Sequence, residues 1–296
     1  MTTYAIQTRA LSRNYRSAVA LAGVTLDIHK NTITGLLGRN GAGKTTLMSL
    51  ITAQDRPSSG SVQVNGIEPF ENAAVCESMC FVRDNQRYPD DYKLTHAVRA
   101  ARIAFPSWSQ ELADRLVQLF RLPLKTPVKK YSRGQLSALG IVIGLASRAP
   151  ITFFDEPYLG LDATARGIFY DELLADYAAH PRTIILSTHL IDEMDRLLER
   201  VIVLDRGRVV AHADVDDLRE SATQVSGRLA ELDAFVEGRK VVSRRVLGGL
   251  AAAIIEGSLT SSDRAAAAER GLELGPVSLQ DLVAAYGIGE TEGNAS

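Results

Sequence analysis

The feature that most restricts the fold of this chain is a glycine-rich loop. It has the sequence Gly38-Arg39-Asn40-Gly41-Ala42-Gly43-Lys44-Thr45, follows the apolar run Gly35–Leu37 and continues into Thr46. Glycines let the backbone turn tightly and point successive N–H groups inward, and the N-terminus of the following helix adds donors for phosphate oxygens. The order strand, loop, helix predicts a nucleoside triphosphate site from Gly38 to Thr46. Lys44 is expected to reach the outer phosphates, and the Thr45 hydroxyl to bind Mg²⁺.

The composition is that of a globular protein without a nucleic-acid-binding face. Of 296 residues, 46% are apolar and 23% are charged, and the net charge is −2 with Lys and Arg spread along the chain. Nucleic-acid binding requires a concentrated basic surface, so no nucleic-acid partner is expected. The N-terminus lacks the pattern of a signal peptide, and the apolar run Leu247–Ile255 is shorter than the ~20 residues that cross a bilayer. We expect a cytoplasmic protein that reaches a membrane only through a partner.

Two carboxylates follow a strand that is predicted to be buried. The apolar run Ile151–Phe154 ends in Asp155 and Glu156, and open α/β sheets place ligand groups at the carboxyl ends of their strands. Asp155 is expected in the magnesium shell, and Glu156 is expected to orient or deprotonate the attacking water. A second strand, Thr183–Leu186, leads to His189, which would contact the γ-phosphate. An acidic loop start and a structural histidine are the alternatives.

Two further segments are candidates for nucleotide contacts. The ring of Tyr15, upstream of the glycine loop, could stack on a purine, or it could be a half-buried tyrosine on a β surface. Ser132, Gly134 and Gln135 begin an alanine-rich helix. A hydroxyl and free N–H groups at such a start make a second anion site, although a plain serine N-cap explains the same residues.

The rest of the chain is organised around these motifs. The segments Thr25–His29 and Thr32–Leu37 are predicted to pair around a tight turn. Helical periodicity from Asp90 to about Leu122 predicts an inserted helical region. Cys76 and Cys80 are four residues apart with no histidine nearby, which favours two buried thiols on one helical face over a metal site or a disulfide.

The C-terminal part of the chain has a different character. Val201–Val210 is typical of a hairpin, and the residues from about 218 to 288 mix strand-like runs with helical ones. Ser278–Asp281 has the spacing of a capping box before a helix. These patterns predict a small α/β appendage.

Together, the motifs resemble those of the ATP-binding cassette (ABC) family, the nucleotide-binding subunits of ABC transporters. Six segments match in the order of the family. They are Tyr15 as the adenine-stacking aromatic, Gly38–Thr45 as Walker A, Tyr131–Gln135 as the signature, Ile151–Glu156 as Walker B, Tyr158–Asp162 as the D-loop and His189 as the switch histidine.

The resemblance covers roughly residues 4 to 215 and implies an α/β fold of the P-loop NTPase cassette type. Such a cassette has a RecA-like core, an antiparallel β subdomain and an inserted helical subdomain, here at about residues 88–150. The implied domains are a nucleotide-binding domain at 1–215 and an accessory domain at 216–296.

The resemblance also implies the function. The chain would bind and hydrolyse ATP with Mg²⁺, with Glu156, His189 and Lys44 as catalytic residues, and would power a separately encoded membrane permease. The signature would serve the nucleotide of a second cassette, identical or paralogous. Pro276–Leu282 is similar to the tail of ABC-2 exporter subunits, which favours export. The alternatives are a soluble cassette ATPase that acts on a protein or nucleic acid, and a P-loop kinase.

The chain departs from the family pattern at two motifs. The signature has Arg133 in place of the usual glycine and Tyr131 in place of leucine. At the Q-loop, Asp84 stands where the glutamine is expected and Gln86 follows two residues later. Either the loop is longer by two residues or a carboxylate replaces the amide, and Gln86 is taken as the expected metal ligand.

Overall fold

The computed structural model describes residues 3–16, 18–84 and 86–288 of the chain. It divides into two compact units. The first comprises the residues up to His189 together with Arg196–Val209, and the second comprises Leu190–Asp195 and the residues from Val210 onward. The assignment of 1–215 and 216–296 as functional domains stays a prediction.

Strands and helices alternate along the first unit. Its strands are β1 (Tyr4–Tyr15), β2 (Ala18–His29), β3 (Ile33–Leu37), β4 (Ser59–Val64), β5 (Met79–Val82), β6 (Ile151–Asp155), β7 (Thr183–Thr188), β8 (Arg200–Asp205) and β9 (Arg208–Asp214), the last of which runs on into the second unit. Its helices are α1 (Lys44–Ile51), α2 (Ala73–Glu77), α3 (Leu94–Ala104), α4 (Gln110–Leu119), α5 (Arg133–Ser147) and α6 (Ala163–Ala179), with a single 3-10 turn at Val128–Lys130.

An antiparallel sheet of order β2-β1-β4 forms one layer of this unit. In β2 the buried residues Val24, Leu26 and Ile28 alternate with more exposed ones. A period of two is that of a strand with one face against the core. These side chains join the hydrophobic core of the unit with Leu47 and Phe153.

The second sheet has the order β5-β6-β7-β3-β8-β9, and β5, β6, β7, β3 and β8 run parallel. Every residue of β3, β6 and β7 is buried, as expected for central strands covered on both faces. Their carboxyl ends lie at one edge, so the glycine loop after β3, the carboxylates of β6 and the histidine after β7 meet there. The predicted hairpin at Val201–Val210 is confirmed, because β8 and β9 are neighbours in this sheet.

Two sequence predictions within this unit are wrong. Thr25–His29 and Thr32–Leu37 do not pair, because β2 lies in the antiparallel sheet while β3 lies between β7 and β8. The cysteines do not share a helical face either. Cys76 is exposed on α2, and Cys80 is buried in β5. The chain changes from helix to strand between them, so a spacing of four has no helical meaning here.

The helical region expected from residue 90 to 122 is confirmed by α3 and α4. In α4 the buried residues Leu112, Ala113 and Leu116 lie on one face, which is the spacing that the sequence showed. The Ser109 hydroxyl accepts a hydrogen bond from the Leu112 N–H at 3.3 Å and caps the helix. The region leads into α5, which carries the signature residues.

The second unit is the expected small α/β appendage. Its helices are α7 (Ile191–Met194), α8 (Val215–Glu220), α9 (Leu229–Val236), α10 (Ser261–Glu269) and α11 (Leu279–Ile288), and its strands are β10 (Ala222–Arg228), β11 (Val241–Leu247), β12 (Leu250–Glu256) and β13 (Glu273–Gly275). The strands form an antiparallel sheet of order β11-β12-β10-β13. Val225, Leu232 and Ile255 lie in its hydrophobic core.

Capping residues define two helices of the second unit. The predicted cap of α11 is present, because the Ser278 hydroxyl accepts a hydrogen bond from the Asp281 N–H at 3.0 Å. At α10, Thr260 and Asp263 form a capping box. Hydrogen bonds from the Thr260 side chain, and then from Arg239, lower the pKa of Asp263 to about 2. Among the described residues, no helix has both the length and the apolar character needed to span a membrane.

Candidate functional site

The glycine loop between β3 and α1 forms the floor of a cavity of about 420 Å³. Gly38 has φ of +145°, and a Cβ at this position would lie 2.3 Å from the Leu204 carbonyl oxygen. No other residue fits there without moving the backbone. Helix α1 begins at Lys44 with no side chain capping its first turn, so its N–H groups remain free to bind an anion.

Lys44 is buried and its ammonium group is held close to the loop. The Nζ atom donates to the carbonyl oxygens of Gly38 at 2.8 Å and of Arg39 at 3.3 Å. It also lies 3.5 Å from Glu156 Oε1. A cation therefore stands between the glycine loop and the carboxylate at the end of β6.

Asp155 is the buried carboxylate of the site. Its Oδ2 atom accepts a hydrogen bond from the Thr45 hydroxyl at 2.7 Å, and its Oδ1 atom accepts one from the Ser187 hydroxyl at 2.7 Å. The Glu156 N–H in turn donates to the Ser187 oxygen at 2.9 Å. The parallel register pairs Asp155 with Ser187, so the serine connects the two acidic residues. The sequence analysis assigned no role to Ser187.

Glu156 lines the cavity, and His189 lies beside it. Glu156 has φ of +49°, a left-handed conformation that non-glycine residues rarely adopt. Its Oε2 atom lies 3.0 Å from His189 Nδ1. The Glu156 carboxylate is 14% exposed and the histidine side chain is 41% exposed. The two side chains are thus in contact with each other, and the imidazole is open to solvent.

The hydroxyl group of Tyr158 contacts both the ring and the backbone of His189. The buried hydroxyl lies 3.1 Å from His189 Nδ1 and accepts hydrogen bonds from the His189 N–H at 2.9 Å and the Thr188 hydroxyl at 3.1 Å. The sequence analysis placed Tyr158 only in the D-loop resemblance. An aromatic ring with a polar end, three residues after the strand that carries the carboxylates, was the available signal.

The signature residues line a different cavity, of about 490 Å³. Ser132 and Gln135 form a reciprocal capping box at the start of α5, with N–O distances of 3.2 and 3.0 Å. Gly134 packs against the loop 158–162, since a Cβ on it would lie 2.4 Å from the Gly160 carbonyl oxygen. The plain N-cap is therefore present, and the motif does not face the glycine loop of its own chain.

The two Q-loop candidates, Gln86 and Asp84, line different cavities. Gln86 lines an apolar cavity with Phe81 and Tyr88, whereas Asp84 lines the cavity of Lys44 and Thr45. Strand β5 ends at Val82, so the second residue beyond it reaches the phosphate side and the fourth has already turned away. Asp84 is therefore the residue placed beside the glycine loop, and which of the two residues fills the Q-loop role stays a prediction.

Tyr15 does not line the cavity of the glycine loop. Its hydroxyl donates to Asp55, and the Arg13 guanidinium lies 4.6 Å from the centre of its ring. Arg13 also pairs with Asp55 at 2.7 Å. Tyr15 is 42% exposed, and the guanidinium of Arg13 covers one face of its ring. Its stacking on a purine stays a prediction.

The comparisons with known proteins agree with this geometry. Residues 21–159 match the model of the ABC transporter family. The chain is 27% identical over 220 residues to the ABC transporter ATP-binding protein YtrB of Bacillus subtilis, covering 74% of the chain and 75% of YtrB. It is 30% identical over 229 residues to the doxorubicin resistance ATP-binding protein DrrA of Mycobacterium tuberculosis, covering 74% of the chain and 69% of DrrA. The chain belongs to the ABC transporter family of ATP-binding proteins.

The structure of an ATP-binding subunit of an ABC transporter is similar to this ABC protein with a TM-score of 0.65 and 26% identity. The match covers 72% of the present chain and 91% of the other. The predicted family, fold class and function as an ATP-binding subunit of an ABC transporter are therefore confirmed. The roles of individual residues stay predictions.

Proposed function

We propose that this ABC protein hydrolyses ATP with Mg²⁺ and that the reaction drives a membrane permease encoded separately. The observation that carries the proposal is the convergence of Lys44, Glu156 and His189 at one edge of the parallel sheet. A carboxylate with a cation near one oxygen and an imidazole near the other can provide phosphate binding, activation of water and sensing of the outer phosphate.

Glu156 is the proposed general base. It lies at the end of β6 with one oxygen facing His189 and the other facing Lys44. A base held by two partners can accept a proton from water while the histidine contacts the γ-phosphate. Lys44 would hold the phosphates together with the N–H groups of the glycine loop.

The residues present fit a magnesium ion. Mg²⁺ prefers oxygen ligands and takes one or two carboxylates in addition to substrate phosphates and water. Thr45 and Asp155 present a hydroxyl and a carboxylate 2.7 Å apart on the wall of the cavity, and Asp84 lines the same cavity. Among the described residues, no group of three or more acidic, histidine or cysteine side chains is placed to hold a metal ion by itself. A magnesium ion that also binds substrate phosphates and water does not need such a group. The ion would neutralise phosphate charge.

The signature is proposed to act on a nucleotide held by a second cassette. Ser132, Gly134 and Gln135 line a cavity that contains no residue of their own glycine loop. A triphosphate bound at Lys44 therefore meets the signature only if another chain brings it. The active unit is a pair of cassettes, identical or paralogous, on the inner face of the membrane at the permease.

Export is the proposed direction. DrrA is named as a doxorubicin resistance protein, and resistance by transport requires removal of the compound from the cell. The match to DrrA covers 74% of this chain, so it includes most of the cassette. Purification from membranes with a tagged subunit tests the association with a permease, on which either direction of transport depends. A multi-spanning membrane protein should copurify, and recovery of soluble partners alone would contradict the proposal.

Hydrolysis is tested by replacing Glu156 with Gln. Loss of a general base reduces the rate by at least about 100-fold, while ATP binding should persist because Lys44 and the loop are intact. Phosphate release and ATP titration measure the two effects. Glu172→Gln is the control, since Glu172 pairs with Arg115 at 2.6 Å and does not line the cavity. Equal rates for the two variants would show that Glu156 is not the base.

A further inference from the structure

Asp84 and Arg133 form an ion pair in this structure. Arg133 Nη2 lies 2.9 Å from Asp84 Oδ2 and 3.1 Å from Oδ1, and its Nε lies 3.4 Å from Oδ1. Both residues stand where the chain departs from the family pattern. Asp84, at the expected Q-loop position, thus supplies the carboxylate, and Arg133, in the signature, supplies the guanidinium that pairs with it.

The pair lies between the two cavities of the site. Asp84 lines the cavity of Lys44 and Thr45. Arg133 is the first residue of α5, and its neighbours Ser132 and Gly134 line the second cavity. One charged group therefore faces the nucleotide of its own chain, and its counter-charge is placed beside the motif proposed to meet the nucleotide of another chain.

Because both side chains are partly exposed, Asp84 can exchange Arg133 for another cation. The Asp84 side chain is 31% exposed and the Arg133 side chain is 60% exposed. Ion pairs this exposed contribute little to stability, because water screens them and ordering two side chains is entropically unfavourable. A carboxylate with such a weakly held partner can accept another cation, and a magnesium ion that arrives with a nucleotide is a hard cation that carboxylates bind.

We propose that Asp84 exchanges Arg133 for the magnesium ion of a bound nucleotide. The exchange releases the Arg133 guanidinium at the start of α5, where it can contact the phosphates presented by a second copy. Without a divalent cation, Arg133 neutralises Asp84 and prevents the carboxylate from repelling the triphosphate. Arg133 is thus a positioning residue for Asp84. The inference rests on the proposed function and adds to it a link between metal binding and pairing.

The exchange predicts effects of opposite sign on nucleotide affinity. In excess EDTA, Asp84→Asn removes a negative charge beside the triphosphate and should raise the affinity for ATP about fivefold. Arg133→Gln leaves that charge uncompensated and should lower the affinity about fivefold. In excess magnesium the signs reverse, because Asp84→Asn removes a metal ligand while Arg133→Gln removes the competitor of the metal.

The experiment titrates ATP into each variant by calorimetry, in EDTA and in magnesium, with Glu156→Gln present throughout to block turnover. Circular dichroism verifies that each variant is folded. Asp90→Asn and Lys129→Gln are the matched controls, since they break an exposed ion pair of 3.2 Å that does not line the nucleotide cavity. Both controls should leave the affinity unchanged in both buffers.

Sedimentation measures the second part of the inference. With Mg-ATP, Arg133→Gln should weaken pairing of the chain several-fold although its ATP affinity is not reduced. Pairing equal to that of the parent protein would overturn the role of the released guanidinium.

The outcomes separate the exchange from the proposed function. Changes of the same sign in both buffers for Asp84→Asn would overturn the exchange and leave ATP binding and hydrolysis standing. Failure of the parent protein to bind ATP in either buffer would overturn the proposed function and the exchange with it. In EDTA the double variant Asp84→Asn/Arg133→Gln should bind ATP as tightly as Asp84→Asn alone, because Arg133 then has no carboxylate to neutralise. A return to the affinity of the parent, which purely additive effects would give, would also contradict the exchange.

Discussion

Replacing Ser187 with alanine tests how the two acidic residues are held together. The hydroxyl donates to Asp155 at 2.7 Å and accepts the Glu156 N–H at 2.9 Å. A hydrogen bond to a charged group contributes about 1.5–3 kcal/mol, and a buried N–H without a partner costs about 1–3 kcal/mol. The two effects together span about 2.5–6 kcal/mol. Because the bond from the Glu156 N–H is only partly buried, we expect the free energy of unfolding to fall by an amount in the lower half of that range, about 2.5–4 kcal/mol.

The same substitution should slow hydrolysis more than it weakens nucleotide binding. Glu156 is held in a left-handed conformation, and its N–H bond to Ser187 is one of the contacts that maintain it. A misplaced catalytic group of this kind costs up to about 100-fold in rate. We therefore expect phosphate release to fall about 10- to 100-fold. ATP affinity in EDTA should be retained, because Ser187 does not line the cavity.

Ser147→Ala separates this effect from general loss of a buried hydroxyl. Ser147 is fully buried, donates to the Gly144 carbonyl at 2.8 Å and accepts from the Ala149 N–H at 3.2 Å. Urea unfolding and phosphate release are measured for both variants. If Ser187→Ala hydrolyses ATP as fast as Ser147→Ala, the proposed alignment of Glu156 by Ser187 is refuted.

Three further perturbations follow from the structure. Tyr158→Phe removes the hydroxyl that contacts His189 and should destabilise the chain by about 1–3 kcal/mol with slower phosphate release; an unchanged rate would show that the histidine needs no such support. Gly134→Ala creates a backbone clash and should destabilise by about 1–3 kcal/mol, whereas Gly167→Ala, which meets no atom within 4 Å, should not; equal urea midpoints would contradict the clash. The pKa of Asp263 is lowered in the folded state to about 2, so its contribution is complete above the ordinary value of 3.8 and is lost as the pH falls toward 2. Asp263→Asn should therefore lower the urea midpoint at neutral pH and converge with the parent near pH 2, and a constant difference would exclude this cause.

The sequence predicted the parts of the fold that local patterns determine. The buried run before Asp155 and the periodicity before Leu122 are direct consequences of which faces are covered. Strand partners were harder to predict. β2 and β3 are close in the chain and separated by a short turn, yet they belong to different sheets. The partners of β3 are β7 and β8, both far along the chain, and no local pattern specifies a parallel partner.

In the candidate site, too, local sequence patterns predicted some residues and missed those whose position depends on the fold. Residue types next to strand ends predicted Lys44, Asp155, Glu156 and His189, because the chemistry of a triphosphate requires them. Ser187 and Tyr158 were missed as supporting residues, since their roles depend on register and burial. Counting along the chain gave two choices for the Q-loop, and the structure shows what the count could not, namely that Asp84 and Gln86 line different cavities.

The separation of the two cavities has a kinetic consequence. Under the proposed arrangement, a lone chain fills its own nucleotide site but has no signature facing it, so ATP consumption rises with the square of subunit concentration while the chains are free. A permease that tethers two cassettes makes their pairing intramolecular. The effective concentration of one cassette near the other is then up to roughly millimolar. ATP would then be hydrolysed mainly by subunits that are assembled with a permease, and free subunits would hydrolyse little.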